Sequence, residues 1–362
     1  MPKRDNSFGI LGRLIDREGK IIEAVNNYDE LYDEVAELRQ EVQSLEGRGG
    51  GGGDTTIVTN STNTTVGEDG EFESLENAYD ETADNGGGHV EILPSYDADN
   101  DSFPIDVHSR VTGIVGQGQA STIDARGVSS PVLKLNYRHV RPMGPTFRNF
   151  RIRGGENGVL VEHARYSDWS NVMLRDQTDD ALKFKGNDEG AINTHNFRSC
   201  KMEGAGGAGI GMYQSRSYQP HGVRLFQTDI NFCERGIVHE GGFSVDVHQG
   251  SIQHMDHEAI LSDSPGMMSV YGVYIEANCE SGSDTEVHLK RSNGSTIRDC
   301  YFNPLGNSTE HAIVNESTYV TVEDCSFRQY PEAIVDNGSN SNIRPDTCRR
   351  VGSGGRFSLG NF

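Results

Sequence analysis

The chain of 362 residues carries 54 Asp or Glu against 32 Lys or Arg, a formal charge of −22, with 34% apolar residues and 44 glycines. No apolar run approaches the ~18–20 residues that cross a bilayer, and the net field repels phosphate, which argues against a broad nucleic-acid surface. Six cysteines are too few for a disulfide scaffold at this length.

The start Met1-Pro2-Lys3-Arg4-Asp5 lacks the ~7–15-residue apolar stretch of a secretory signal, so export by that route is not expected. The cations are 7 Lys and 25 Arg, against 27 Asp and 27 Glu. At molar salt the Debye length falls to ~3 Å, and a strongly acidic surface then stays hydrated without strong self-repulsion. The reading is a protein suited to high salt; the alternative is an acidic protein of an ordinary environment.

Residues 1–20 carry Lys3, Arg4, Arg13, Arg17 and Lys20, a basic arm that suits docking on an acidic scaffold or a solubilising end. Heptads begin at Ile21. The a positions are Ile21, Tyr28, Val35 and Val42, and the d positions are Ala24, Leu31, Leu38 and Leu45. This predicts a coiled coil over 21–46, ~37 Å long at ~1.5 Å per residue, and hence at least one other copy of the chain. Residues 47–54, with glycines at 49–53, form a flexible linker, and 55–71 a Thr/Asn-rich connector.

The remainder repeats. Three apolar columns, spaced three and two residues apart, run Phe147/Phe150/Ile152, Trp169/Val172/Leu174, Phe197/Cys200/Met202 and Leu225/Thr228/Ile230. They continue as Val247/Gly250/Ile252, Val270/Val273/Ile275, Ile297/Cys300/Phe302 and Val322/Cys325/Phe327, which we number coils one to eight. The third column recurs at intervals of 22, 28, 28, 22, 23, 27 and 25 residues. Asn149, Asn171, Ser199, Gln227, Gln249, Gly272, Asp299 and Asp324 precede the middle column and mark a bend. A second strand opens on a small and an aliphatic residue: Gly158-Val159, Ala181-Leu182, Gly209-Ile210, Gly236-Ile237, Ala259-Ile260, Ala312-Ile313 and Ala333-Ile334. Such a unit cannot bury its inner face alone, whereas stacking at ~4.8 Å gives every strand two partners. The pattern predicts an all-β parallel solenoid.

Ahead of coil one, Phe72 to Ala83 reads as a short helix with apolar Phe72, Leu75, Ala78 and Tyr79. Gly86-Gly-Gly-His-Val-Glu-Ile-Leu-Pro94, Val111 to Gly118 and Ser121 to Asp124 follow. This resembles pectate-lyase-like right-handed single-stranded β-helices, in which a capping helix precedes such a Gly-rich strand. The frame covers 72–338, leaving 339–362 as a C-terminal tail. A coiled coil ahead of a β-helix resembles trimeric viral tailspikes and spikes. With the acidic composition, the resemblance points to a virus of halophilic archaea. It implies a homotrimer on the virion surface, fixed to a capsid or tail protein through residues 1–46 and binding a host glycan or glycoprotein.

The register also gives outward columns. Arg148, Ser170, Arg198, Phe226, His248, Tyr271, Arg298 and Glu323 follow the first inward column. Arg151, Met173, Lys201, Asp229, Ser251, Tyr274, Tyr301 and Ser326 lie between the second and third. Phe226, His248, Tyr271, Tyr274 and Tyr301 are the candidate glycan surface, because an aromatic face beside hydrogen-bonding groups suits a pyranose. A trimer interface uses the same residue types, and both readings stay open here. Glu203 and Asp229 are the candidate catalytic carboxylates, since glycoside hydrolysis needs two about 5–5.5 Å or 6.5–9.5 Å apart. Lys201 beside them lowers rather than raises their pKa values, so the face suits binding without turnover.

Asp179-Asp180, in Thr-Asp-Asp-Ala-Leu-Lys-Phe, resembles the Asp-Asp turn of polygalacturonases. The Gly-His-Gly and Arg-Ile-Lys patterns found with it there are missing, which leaves an acidic turn opening a strand. His239, His248, His254 and His257 crowd coils four and five without metal-ligand spacing, so no metal or cofactor is expected. Asp97, Asp99 and Asp101 begin like a calcium loop, but Ser102 and His108 replace its Gly and Glu, leaving at most a weak surface cation. Cys200, Cys300 and Cys325 fall on inward positions, and a Cys300–Cys325 disulfide is left open. Sequons stand at Asn60, Asn63, Asn293, Asn307 and Asn315.

Overall fold

The computed structural model describes residues 63–359 apart from 86, 108–110, 112, 138–143, 187–191, 215–219, 282, 306–308 and 352–355. The basic arm, the heptad positions Ile21 to Leu45, the glycine linker and the sequons at Asn60 and Asn307 lie outside the described residues. No described helix is long and apolar enough to cross a membrane.

The described chain is a right-handed parallel β-solenoid of about ten turns. Each full coil lays down two short strands that meet at a bend and a third strand in a separate sheet. The first two stack into a 20-stranded sheet and the third into an 11-stranded one, with every named pairing parallel.

The inward columns are those of the repeat. Phe147, Phe150 and Ile152 are at most 1% exposed, and Val322, Cys325 and Phe327 at most 2%. Identical depth lets like side chains stack: Phe147 on Trp169 at 3.8 Å between ring centroids, and Phe302 on Phe327 at 5.1 Å. All eight bend residues adopt left-handed backbone, from Asn149 at φ 57° to Asp324 at φ 57°. That region suits Gly, Asn and Asp. Neighbouring amides add rungs, Asn171 Nδ2 donating to Asn149 Oδ1 at 3.2 Å and Gln227 Nε2 to Gln249 Oε1 at 3.2 Å.

In the 11-stranded sheet, Val159, Leu182, Ile210, Ile237, Ile260, Val287, Ile313 and Ile334 align as one column. The Val287 rung escaped the sequence pattern because Glu286 stands where the other coils have Gly or Ala. Glu286 is fully buried and accepts hydrogen bonds from Asn278 Nδ2 at 2.6 Å and Tyr330 Oη at 2.8 Å. Burial pushes its carboxyl up to about 7.

Helix α1, Leu75–Asp84, caps the N-terminal end and buries Leu75, Ala78, Tyr79, Thr82 and Ala83. Ser74 is its N-cap, and Asp101 accepts from the Leu75 and Glu76 amides at 3.0 and 2.8 Å, next to the positive end of the helix. Asp101 is thus engaged by the helix and by Tyr96 Oη at 2.5 Å. At the other end the solenoid continues beyond 338. Asn342–Ile343, Arg349–Val351 and Arg356–Leu359 pair with the coil before them. Exposed Arg349 and Arg350 hide that rung from an apolar pattern. Cys200, Cys300 and Cys325 are buried free thiols.

Candidate functional site

Because inward and outward residues alternate, the outer face of the 20-stranded sheet is a grid whose rows are coils. In coils one to three it is basic, carrying Arg148, Arg151, Arg153, Arg175, Arg198 and Lys201. Partners neutralise much of this charge. Arg153 meets Asp176 at 2.9 Å, Arg175 meets Glu203 at 3.5 Å, and Lys201 pairs with Glu203.

The predicted carboxylates sit in the middle of the grid. Asp229 is opposite Lys201 in the register and Glu203 opposite Asn231. Asp229 accepts from Ser251 Oγ at 2.7 Å. Glu203 is held by two cations, Arg175 and Lys201.

In coils four to seven the grid becomes aromatic. Phe226 stacks on His248 with centroids 5.3 Å apart and planes 18° apart, and His248 meets Tyr271 at 5.9 Å. Tyr271 is 42% exposed. Tyr274 and Tyr301 stack at 5.2 Å and 4°. The Tyr274 phenol donates to Glu276 Oε1 at 2.5 Å, and Asn303 Nδ2 donates to the same oxygen at 2.6 Å. Partial burial and this carboxylate hold the Tyr274 hydroxyl protonated. The structure therefore stacks Phe226 on His248, with Tyr271 tilted at 47° against the histidine, and stacks Tyr274 on Tyr301.

The sequence columns missed a further pair. Phe232 and His254 occupy the corner after the third inward column, with centroids 4.9 Å apart and planes 8° apart. Phe232 is 59% exposed, and both residues are left-handed, at φ 56° and 58°. Reading one more column would have found them, since Asp176 and Gly204 precede them in that corner at φ 60° and 71°.

On the other sheet, Asp179 and Asp180 do open a strand, Leu182–Lys185, as predicted. Asp180 is nonetheless buried, accepts from the Ala208 amide at 2.8 Å, and has its Oδ2 4.0 Å from Lys183 Nζ. Burial raises its carboxyl, and the neighbouring Asp179 raises it further. Lys183 pairs with Asp179 and lies 5.5 Å from the centroid of the Tyr213 ring. Gly211 makes the room, because a Cβ there would fall 2.3 Å from Asp180 Oδ2 and 2.5 Å from Tyr213 Cε2. A buried acid of raised pKa beside a second, lysine-bound carboxyl is an arrangement that spacing alone did not reveal.

The histidines of coils four and five do not converge. His239 is buried against Ser262 Oγ at 3.0 Å, with burial lowering it to about 4, His248 lies in the stack, and His254 meets Glu280 at 3.0 Å. Asp284, Glu310 and His311 do bring ligand atoms within 4.8 Å of one another, on the exposed rim of the 11-stranded sheet.

No protein-family model and no curated protein sequence matches the chain. Solved structures match in fold. The A-module of the mannuronan C-5 epimerase AlgE6 from Azotobacter vinelandii aligns over 77% of this chain and 94% of its own, at 11% identity and a TM-score of 0.51. ORF18 of Geobacillus virus E2 aligns over 74% of this chain and 56% of its own, at 14% identity and 0.54. The catalytic domain of a GH87 α-1,3-glucanase in complex with nigerose aligns over 82% and 68%, at 11% identity and 0.52. The chain shares the parallel β-helix of polysaccharide-acting enzymes and of a phage protein.

Proposed function

We propose that this solenoid is the glycan-binding head of a virion spike, trimerised and anchored through residues 1–46 and working at high salt. The carrying observation is a pair of aromatic clusters, Phe226 stacked on His248 with Tyr271 tilted against it, and Tyr274 stacked on Tyr301, set on strands beside Asp229 and Ser251. Flat apolar faces with hydrogen bonders at their edges match the two sides of a pyranose. A rigid sheet loses little entropy on binding. The likeness to a phage ORF product supports a viral setting, and the heptads from Ile21 to Leu45 support self-association.

The second reading is a depolymerase, in keeping with the carbohydrate-active neighbours. Its best-supported acid is Asp180, buried and raised, with Asp179, Lys183 and Tyr213 around it. Glu203 and Asp229 suit it less, being engaged by cations and a serine.

Incubating the purified protein with host-surface polysaccharide at molar salt, then measuring retention and sizing the polysaccharide, separates these readings. Binding without shortening is expected. Discrete oligosaccharides lost in Asp180→Asn, or in Asp229→Asn or Glu203→Gln, would replace attachment with cleavage and say which carboxylates act.

A further inference from the structure

We infer that Phe232 and His254 form a second sugar-stacking platform, so that a bound glycan crosses coils four and five between this pair and Phe226–His248. The inference rests on the glycan-attachment reading and gives the ligand a direction and a chemistry.

The corner position is the first reason. Left-handed backbone is the province of Gly and Asn, and Asp176 and Gly204 fill the preceding two corners. A phenylalanine there strains the backbone and, at 59% exposure, buries little in return. An exposed ring carried on strained backbone is free to meet a ligand.

Its surroundings are the second reason. The Phe232 and His254 rings lie parallel, and His254 Nδ1 is held by Glu280 at 3.0 Å. Gly204 occupies the corner on one side of the stack and Ala277, at φ 55°, the corner on the other, so no large side chain of the corner column covers either end.

The third is what lies between the platforms. Phe226 and Phe232 belong to one run of chain, separated by at most ~20 Å at ~3.3 Å per residue. Asp229 and Asn231 fill the interval on coil four, with Ser251 and Gln253 opposite them on coil five. That stripe offers a carboxylate, a hydroxyl and two amides and carries no cation, which suits the hydroxyls of an uncharged glycan several units long.

The test uses Phe232→Gly, because φ 56° accepts glycine and the coil should fold unchanged. Titration calorimetry would use neutral oligosaccharides from disaccharide to octasaccharide. Phe232→Gly should weaken the octasaccharide about tenfold, as expected for losing ~1.4 kcal/mol of ring contact, and leave the disaccharide unchanged. Phe226→Ala should weaken every length. If Phe232→Gly binds all lengths like wild type while Phe226→Ala does not, the platform is wrong and attachment stands. If wild type binds none, both fall. A lower mass by light scattering for Phe232→Gly would instead make this corner a contact between copies and overturn the proposal.

Discussion

In the strand His221–Asn231 the inward side chains Leu225, Thr228 and Ile230 are at most 3% exposed, while Phe226, Asp229 and Asn231 between them face outward. Followed along the solenoid, the inward positions hardly change character. The outward ones run from arginine through carboxylates to aromatic rings. Inward, each residue sits at the same depth between two near-copies of itself, so the stack selects size and apolarity. Outward, the neighbours on adjacent coils are partners in ion pairs and ring contacts rather than copies, and what the solution or a ligand requires has more say. A repeat is thus a record of folding on one side and of function on the other.

The sharpest way to break that contrast is one large apolar truncation on each side. Phe302→Ala empties a fully buried position stacked on Phe327 and should cost about 3–5 kcal/mol. Phe226→Ala should cost only about 1 kcal/mol, the worth of a partly exposed ring stacked across the strands. Urea denaturation of both variants checks this, and similar losses would place Phe226 in the core economy of the fold rather than on a binding face.

The same contrast explains what was legible beforehand. The triplets were readable because stacking at constant depth imposes a period, and the left-handed bends because Asn149, Asn171, Gly272 and Asp299 are residues such backbone tolerates. Phe232 and His254 stayed hidden because their corner column reads Asp, Gly, Phe, His, Ala, with no shared chemistry. Asp180 was visible as a residue but not as an acid of raised pKa. Its burial depends on Gly211 and Tyr213 one coil away, a contact that spacing along the chain does not encode.

Glu286 is the inward position that departs from the stack, and it sharpens the comparison through pH. Its folded carboxyl is raised to about 7 from an ordinary 4.5, so the native state holds the proton more tightly than the unfolded chain. Below pH ~4.5 both states are protonated and no penalty arises. As pH rises to about 7 the unfolded chain ionises first, and stability falls by on the order of 3 kcal/mol before levelling. Glu286→Gln, neutral throughout and able to accept from Tyr330, should remove much of that fall. Melting curves between pH 4 and 8 would show a flatter profile for the variant, and an unchanged one would mean that the carboxyl is not desolvated.

The smallest expected effect belongs to the charged rim, where the outward side is tested by salt. Asp284, Glu310 and Glu332 stand at the start of successive strands of the 11-stranded sheet, where the Glu310 amide donates to the Asp284 carbonyl at 2.9 Å and the Glu332 amide to the Glu310 carbonyl at 3.2 Å. A coil spacing of ~4.8 Å keeps their carboxylates near one another. At 0.1 M salt the Debye length of ~10 Å exceeds that spacing, and at 1 M it shrinks to ~3 Å. Repulsion of about 1 kcal/mol per close exposed pair in water is therefore felt in dilute buffer and screened in brine. His311, 3.9 Å from both Glu310 and Glu332, offsets part of it only when protonated. The melting temperature should rise as NaCl is taken from 0.1 to 1 M. Glu310→Gln should flatten that rise. A wild-type protein indifferent to salt would show that the acidic rim carries no electrostatic strain, and would remove the physical basis for reading the −22 charge as an adaptation to brine.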